Sequence, residues 1–202
     1  MNRVKTHFDA VAPTYEEQST RGMWKWLRER EAAAVARLLG TGMMGDVLEL
    51  GSGSGYYSRR VFGRGWRSLV CVDFSSEMLE RCAVPGCTKV LADVQDYVSE
   101  RQFDVILCAG VLEFLNQPEA VFANVAKMLR PDGTFIVLLP RVGFFGHCYR
   151  AFHRWGHGVP IRLFHVAQIQ RWAEAAGLGI VRVHPVPLFN LAARFCQWRE
   201  VP

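Results

Sequence analysis

The sequence predicts a doubly wound α/β fold, in which helices cover both faces of a mostly parallel sheet. Between residues 46 and 140, short apolar runs alternate with segments of helical periodicity. The run 103–109 is apolar on both faces, as a buried parallel strand is. A glycine-rich turn follows the first run, at 47–50, and leads into a helical segment. Strands separated by helices of this size imply right-handed crossovers between parallel neighbours.

The predicted elements of this core follow one another in a regular order. Strand-like runs occupy residues 47–50, 69–72, 90–91, 103–109 and 134–139, and helical segments occupy residues 56–62, 76–82 and 118–129. Pro118 stands at a favoured first position of its helix. The tetrapeptide Arg130-Pro131-Asp132-Gly133 predicts the end of that helix and a turn into the fifth strand.

The flanking segments add three helices and one further strand. An apolar stripe predicts a helix over 24–39, aromatic residues at helical spacing predict one over 144–155, and a third is predicted over 166–176. Residues 180–183 alternate as a strand. The last stretch, 188–198, contains Asn190-Leu191-Ala192-Ala193, which is poor strand material. We therefore expect a final sheet edge that is irregular or completed by another subunit.

Length and composition fit a single domain. The 202 residues are 50% hydrophobic and 21% charged, enough to bury a core. We expect a helical lid over 1–40, a ligand-binding core over 41–140, and a covering segment with the last strands over 141–202.

No apolar run approaches the roughly 18 residues of a membrane-spanning helix. The first residues lack the apolar core of a secretory signal, and the six cysteines form no CxxC pair. We expect a cytoplasmic protein with reduced thiols and no metal site.

The net charge of +5 is unevenly distributed along the chain. Residues 141–202 carry eight arginines, no lysine and two glutamates, whereas the first 140 residues carry 16 basic and 17 acidic groups. Two interpretations stay open for this basic, aromatic-rich last third: an anionic ligand or membrane surface, or a solvated arginine face.

The motif ELGSGSG, residues 49–55, lies at the end of the first predicted strand and opens a helix. Its glycines allow a sharp turn and a close approach of a ligand to the main chain. Dinucleotide binding favours G-x-G-x-x-G, but here the third glycine comes one residue early. Glu49 would repel a pyrophosphate and would favour a cationic ligand.

Two more carboxylates end neighbouring strands. Asp73 follows Gly51 by 22 residues and ends the second strand, where a carboxylate can accept both hydroxyls of a ribose. Asp93 follows the third strand, where it can accept from the exocyclic amine of adenine. Each acid alone could be a turn residue or a helix cap. Together with Glu49 they converge on the crevice where open α/β sheets bind ligands.

These motifs resemble the class I S-adenosylmethionine-dependent methyltransferases, most strongly over residues 46–140. VLELGSGSG (47–55), VDFSSEML (72–79), LADV (91–94), FDVI (103–106) and LRPDGT (129–134) match the family's successive motifs in order. The resemblance implies a seven-stranded Rossmann-like sheet, S-adenosyl-L-methionine as cofactor and S-adenosyl-L-homocysteine as product. The opening HFDAVAPTY (7–15) is similar to the cofactor lid of quinone and tetrapyrrole methyltransferases.

The resemblance also implies a role for each cofactor contact. Glu49 and the backbone of the glycine turn would hold the methionine moiety, Asp73 the ribose and Asp93 the adenine amine. Cys108, Ala109 and Gly110 would lie beside the sulfonium. The full predicted set is Tyr15, Glu49, Gly51, Ser52, Gly53, Gly55, Asp73, Phe74, Met78, Asp93, Val94, Cys108, Ala109 and Gly110.

The methyl acceptor is expected to be a small molecule, aromatic or lipophilic and anionic. The sulfonium makes its methyl group electrophilic, so the protein mainly aligns the reacting atoms in a dry pocket. Should the acceptor need a general base, the candidates are His147, His153 and His157. His165 is expected to act as a helix cap instead.

The segment 144–155 permits three interpretations. It could be an amphipathic helix packed on the sheet, or a lid on which Tyr149, Arg150 and Arg154 meet the acceptor. It could also lie on an anionic membrane to reach a lipid-like acceptor. Nucleic acid is not expected as a substrate, since basic groups are few and no recognised binding module is present.

Other functions of the same fold compete with methyl transfer. The chain could be a cofactor-binding partner subunit without catalysis, an aminopropyl transferase or a nicotinamide oxidoreductase. The early third glycine and Glu49 count against the oxidoreductase.

Overall fold

The computed structural model describes residues 2–42, 44–63 and 65–197. Its strands are β1 (Asp46–Leu50), β2 (Ser68–Asp73), β3 (Thr88–Leu91), β4 (Phe103–Ala109), β5 (Leu129–Pro140), β6 (Leu178–Pro185) and β7 (Asn190–Gln197). Its helices are α1 (Asn2–Ser19), α2 (Gly22–Leu39), α3 (Ser76–Glu80), α4 (Pro118–Met128), α5 (Phe144–Phe152) and α6 (Val166–Ala175). Two further segments, Ser58–Phe62 and His153–His157, are single π-helical turns. None of the described helices is long and apolar enough to cross a membrane.

All seven strands form one sheet in the order β3-β2-β1-β4-β5-β7-β6. The first five pair in parallel, and β7 pairs antiparallel with both β5 and β6. The chain runs outward from β1 to β3 and then returns to β4 on the other side of β1. This reversal of strand order leaves a crevice at the carboxyl ends of β1 and β4, where open α/β sheets bind ligands. The predicted doubly wound fold is confirmed.

The expectation that the last stretch, 188–198, would be poor strand material is wrong. Residues 190–193 are the first half of β7, and this strand lies between β5 and β6. Ala192 and Ala193 are fully buried there. Small side chains fill a strand that is covered on both faces, so packing outweighs their weak intrinsic strand preference. Trp198, the end of the predicted segment, lies outside the described residues.

Alternate residues of each central strand pack against different helices. Leu48 and Leu50 of β1 face a core that includes α4 and α6. Val47 faces a second core formed with α2. The sheet is therefore apolar on both faces, as the sequence predicts for a parallel sheet.

The predicted turn at 130–133 is the main difference within the core. These residues are the first part of β5, with an irregularity in the pairing to β4 between Phe103 and Val105. Arg130 explains the extended path, because its guanidinium reaches Asp104 at 2.6 Å and the buried Asp46 at 2.9 Å. The arginines around Asp46 hold the pKa of that carboxyl well below its usual range. This charged cluster closes the sheet end opposite the crevice.

Candidate functional site

A cavity of about 400 Å³ fills the crevice at the carboxyl ends of the strands. Small-molecule sites typically measure about 300–1,000 Å³. Helix α1 covers one side, and the far end reaches between α2, β5 and α5. The predicted residues on its wall are Tyr15, Gly51, Ser52, Gly53, Asp73, Phe74, Met78, Asp93, Val94, Ala109, Gly110, Tyr149, His153 and His157.

The other predicted residues lie off this wall. Glu49, Gly55 and Cys108 are buried behind it, and His147, Arg150 and Arg154 are exposed on the outer surface. The guanidinium of Arg150 lies 3.1 Å from Nδ1 of His147. His165 occupies the N-cap position of α6, as expected, but its ring makes no capping hydrogen bond.

The glycine turn forms the floor of the cavity and is tied to β2. The backbone N–H groups of Gly51 and Ser52 donate to the carbonyl of Val72 at 2.8 and 3.0 Å. Gly51 has φ +72°, and a Cβ atom there would lie 2.1 Å from a methyl carbon of Val111. Only glycine fits this contact. At Gly53, φ is +52° and a Cβ atom would meet open space, so the bare backbone faces the cavity.

Asp73 ends β2 and bonds to the backbone on both sides of the cavity floor. Its carboxylate accepts from the N–H of Gly53 at 2.8 Å and from that of Ser75 at 3.0 Å. Ser75 caps α3 by accepting from the N–H of Met78, and its hydroxyl donates to Asp9 of α1 at 2.6 Å. Burial raises the pKa of Asp73, although the backbone donors oppose that shift. The lid and the floor are thus joined through Asp9, Ser75 and Asp73.

At the end of the cavity formed by the glycine turn, two buried oxygen atoms have no hydrogen-bond partner within the described part of the chain. They are Oγ of Ser52 and Oδ2 of Asp93. The other oxygen of Asp93 accepts from the N–H of Gln95 at 3.0 Å, which fixes the carboxylate. A buried acceptor without a donor is costly, so these atoms fit a ligand that brings hydroxyl or amino donors. A ribose and an adenine amine bring those groups.

Glu49 acts from beneath the turn rather than on the wall. Its side chain is buried and accepts a hydrogen bond from the hydroxyl of Ser58. Burial raises the pKa of this carboxyl to about 8, against the effect of the Ser58 hydroxyl. A positive charge in the neighbouring cavity would favour its ionised form.

The inner end of the cavity holds a polar group that the sequence did not reveal. Glu31 of α2 is buried and accepts from the hydroxyl of Tyr57 at 2.7 Å and from the amide of Asn190. Arg28, one turn earlier, donates to the hydroxyl of Tyr15 at 2.9 Å. Its guanidinium also lies 4.7 Å from the ring centroid of Tyr56. These side chains come from α1, α2, the turn after β1 and β7, so no local motif joins them.

Glu113 and His153 also line the cavity. Each has one buried atom, Oε2 and Nδ1, without a partner among the described residues. Burial raises the pKa of Glu113 to about 8. Burial, together with His157 and His7, lowers the pKa of His153 to about 4. His153 was a predicted base, whereas Glu113 was missed because it follows β4 in an apolar segment.

Aromatic side chains complete the wall around these groups. Tyr149 stacks on Phe189 with ring centroids 4.0 Å apart. Phe8 of the lid packs edge-on against Phe74 and Phe114, at 6.1 and 5.2 Å. Within the described residues, the one group with metal-ligand spacing is a cysteine cluster outside this cavity. The cavity therefore has an acidic, glycine-lined end and an aromatic end that holds Arg28, Glu113 and His153.

Comparison with known proteins places this architecture in a family. Trans-aconitate 2-methyltransferase of Enterobacter sp. (strain 638) is 30% identical over 56% of this chain and 46% of its own length. The chain spans about half the length of the first curated relatives it matches.

Two solved structures share the fold at low identity. The methyltransferase bound to the Trm112 activator of Haloferax volcanii has a TM-score of 0.79 at 16% identity, over 95% of this chain and 98% of its own. Magnesium protoporphyrin IX methyltransferase from Synechocystis PCC 6803, with bound S-adenosylhomocysteine, has a TM-score of 0.75 at 14% identity, over 96% and 98%. The family model described as "Methyltransferase domain" matches residues 23–183. The chain therefore belongs to the methyltransferase domain family, and its resemblance to the class I S-adenosylmethionine-dependent enzymes is confirmed.

Proposed function

We propose that this protein transfers the methyl group of S-adenosyl-L-methionine to a small, largely apolar and anionic acceptor. The observation that carries the proposal is the cavity itself, which joins two chemically different ends in one space. One end offers Asp73, Asp93 and bare backbone, and the other offers aromatic rings together with Arg28, Glu31 and Glu113. A donor and an acceptor can thus lie side by side, with water excluded by α1.

The first end supplies the contacts for the cofactor. Asp73 would accept from the ribose hydroxyls, and the free oxygen of Asp93 from the adenine amine. Phe74, Met78 and Val94 supply apolar surface for the adenosine. When bound, S-adenosyl-L-methionine supplies an electrophilic methyl group on a positively charged sulfur. Ala109 and Gly110, at the tip of β4, connect this end to the acceptor end.

Arg28 is the residue that we propose for the anionic group of the acceptor. Its guanidinium donates to Tyr15 and stacks on aromatic rings, and it interacts electrostatically with the buried Glu31, although no described hydrogen bond joins the two. Arginine binds carboxylates through paired donors. Arg150 and Arg154, the arginines predicted for this role, are exposed outside the wall. Their exposed positions suit attraction of an anionic acceptor to the outer surface better than contact with it inside the cavity.

Glu113 is the proton acceptor that we propose, should the acceptor carry a hydroxyl group. A general base works best when its pKa lies near the operating pH. Burial brings the pKa of Glu113 to about 8, whereas His153, at about 4, is a weaker base. The unpartnered Oε2 of Glu113 gives it a free position for that proton.

The outer side of α5 suggests how a lipophilic acceptor reaches the cavity. Six large apolar side chains are exposed on helices α2 and α5 and on the turn after α5. They are Met23, Trp26, Phe144, Phe145, Phe152 and Trp155. Residues 141–173 include five arginines and no acidic residue. Apolar and basic side chains together suit an anionic membrane. We propose that this surface touches such a membrane at the mouth of the cavity.

Incubation with methyl-labelled S-adenosyl-L-methionine and a fractionated cell extract tests the proposal. We expect one small-molecule fraction to gain label and the mass of one CH₂ group. Label in RNA alone would contradict the small-molecule acceptor. Binding of S-adenosylhomocysteine with no transfer to any fraction would favour a catalytically silent partner subunit. Binding of NAD without S-adenosylhomocysteine would favour an oxidoreductase, and transfer of an aminopropyl group would show a different reaction.

A further inference from the structure

Three cysteines meet behind the glycine turn, outside the cavity. Cys71 lies in β2, Cys82 follows α3, and Cys87 follows a turn before β3. Their Sγ atoms all lie within 4.8 Å of one another. Cys71 and Cys82 are buried, and Cys87 is partly exposed. Their spacing in the sequence matches no familiar metal motif, so the cluster emerges only from the fold.

The cluster touches the groups that support the cofactor end. Sγ of Cys71 lies 3.7 Å from the hydroxyl of Ser58, which also donates to Glu49. A Cβ atom on Gly55 would lie 2.9 Å from Sγ of Cys82. Sγ of Cys82 therefore packs directly under the last residue of the glycine turn, and the other two sulfurs lie within 4.8 Å of it.

We propose that Cys71, Cys82 and Cys87 form a three-thiolate site for Zn²⁺. In a tetrahedral site with Zn–S bonds of about 2.3 Å, two sulfurs lie roughly 3.8 Å apart, so three thiols already within 4.8 Å need only a small contraction. Thiolates are soft ligands, which select zinc over the hard cations Mg²⁺ and Ca²⁺. The partly exposed Cys87 gives the ion an entry path, and a water molecule there completes the coordination.

Charge balance supports a divalent ion. Lys89 of β3 is the register partner of Cys71 in β2. Three thiolates, one Zn²⁺ and the ammonium of Lys89 sum to zero, which lowers the cost of burying the site. Binding of Zn²⁺ would displace the thiol protons of Cys71, Cys82 and Cys87 to solvent, and no oxidant or reductant is needed.

Metal titration of the full chain tests the site without any activity assay. The protein is stripped with a chelator under reducing conditions and titrated with Zn²⁺ against a chromophoric competitor. A parallel titration with Cd²⁺ reports thiolate ligation through its ultraviolet charge-transfer band. We expect one equivalent of either ion per chain and a higher Tm in its presence.

Cys87→Ser is the informative variant, because a partly exposed position tolerates the change. We expect it to lose the Cd²⁺ band and to weaken Zn²⁺ binding at least tenfold. Cys148→Ser, at an exposed cysteine of α5, is the matched control and should bind like the parent chain. Binding by Cys87→Ser at the parent affinity would overturn the site. The same holds if the parent chain binds neither ion, or binds Cu⁺ but not Zn²⁺.

Discussion

The carboxylate of Asp73, at the tip of β2, holds the backbone N–H of Gly53 at 2.8 Å. Through this bond the second strand fixes the most open residue of the glycine turn. The bond joins two motifs that the sequence analysis treated separately, the glycine turn and the acid 20 residues after Gly53. Asp73 therefore shapes the cofactor end as well as lining it.

Asp73→Ala should abolish measurable binding of S-adenosylhomocysteine and leave the chain folded. A hydrogen bond to a charged group contributes about 1.5–3 kcal/mol, so losing two from a ribose predicts at least about a 100-fold weaker affinity. Isothermal titration calorimetry measures this, with circular dichroism as the check on folding. Asp96→Ala, at an exposed acid of the same crevice edge, is the control. Unchanged affinity in Asp73→Ala would remove the ribose assignment.

The central sheet was predictable because its signals are local. The strand at 103–109 was placed with its observed bounds, since a run that is apolar except for Asp104 and is ended by glycine admits few alternatives. Strand β7 was not, because Ala192 and Ala193 form a strand only where β5 and β6 enclose them. Local preference is weak where burial on both faces decides the outcome.

The residues of the candidate site also divide into those that the sequence predicts and those that only the fold brings together. Asp73 and Asp93 follow strands, so their place at the crevice could be inferred from the chain order alone. The bond from Asn190 to Glu31 joins residues 159 apart in the sequence. Neither residue belongs to a motif, and their contact depends on the path of β7. Arg28 was missed for the same reason, and the exposed Arg150 was preferred because it lies in a basic segment.

Arg28→Met should impair use of the acceptor and leave binding of S-adenosylhomocysteine within about twofold. Loss of a charge-assisted contact of about 1.5–3 kcal/mol predicts a rise of roughly 10- to 100-fold in the acceptor KM. The measurement is methyl transfer to the active extract fraction at several dilutions. Arg30→Met, at an exposed arginine of the same helix, should behave like the parent chain. A normal acceptor KM in Arg28→Met would show that another group holds the anion.

Glu113→Gln should flatten the dependence of stability on pH. The pKa of Glu113 is about 8 in the folded chain, above its ordinary value of 4.5, so the folded state holds a proton that the unfolded state releases between these values. Its contribution is full below about pH 4.5 and is lost as the pH rises through 8, at about 1 kcal/mol per pH unit.

Urea unfolding of the ligand-free protein at pH 5, 6, 7 and 8 measures how the free energy of unfolding of each variant depends on pH. The stability of Glu113→Gln relative to the parent chain should rise steadily across the series. Glu119→Gln, at an exposed glutamate of α4, should stay parallel to the parent chain. Parallel curves for Glu113→Gln as well would mean that Glu113 is ionised in the folded protein.

Replacing Phe144 and Trp155 by serine should release the protein from anionic vesicles. Both side chains are more than three-quarters exposed, at 77% and 85%. Co-sedimentation with phosphatidylglycerol vesicles should fall at least fivefold in the double variant, because each aromatic side chain loses its apolar contact with the lipid. Salt should weaken binding of the parent chain, since Arg150 and Arg154 contribute charge. Equal binding to neutral vesicles, or no binding by the parent chain, would contradict a membrane-facing role.

Gly51→Ala should destabilise the fold by about 2–4 kcal/mol, from a strained left-handed backbone and a clash. The added methyl group would lie 2.1 Å from Cγ2 of Val111. Val111→Ala removes that clash, so the double variant should recover part of the loss, and a double-mutant cycle from urea unfolding isolates the coupling.

Gly53→Ala is the matched comparison, since its methyl group would meet open space. It should cost only about 1 kcal/mol of stability, yet weaken S-adenosylhomocysteine binding by crowding the cavity floor. If both glycine variants lost the same stability and Val111→Ala rescued neither, close packing would not be the reason for glycine at position 51.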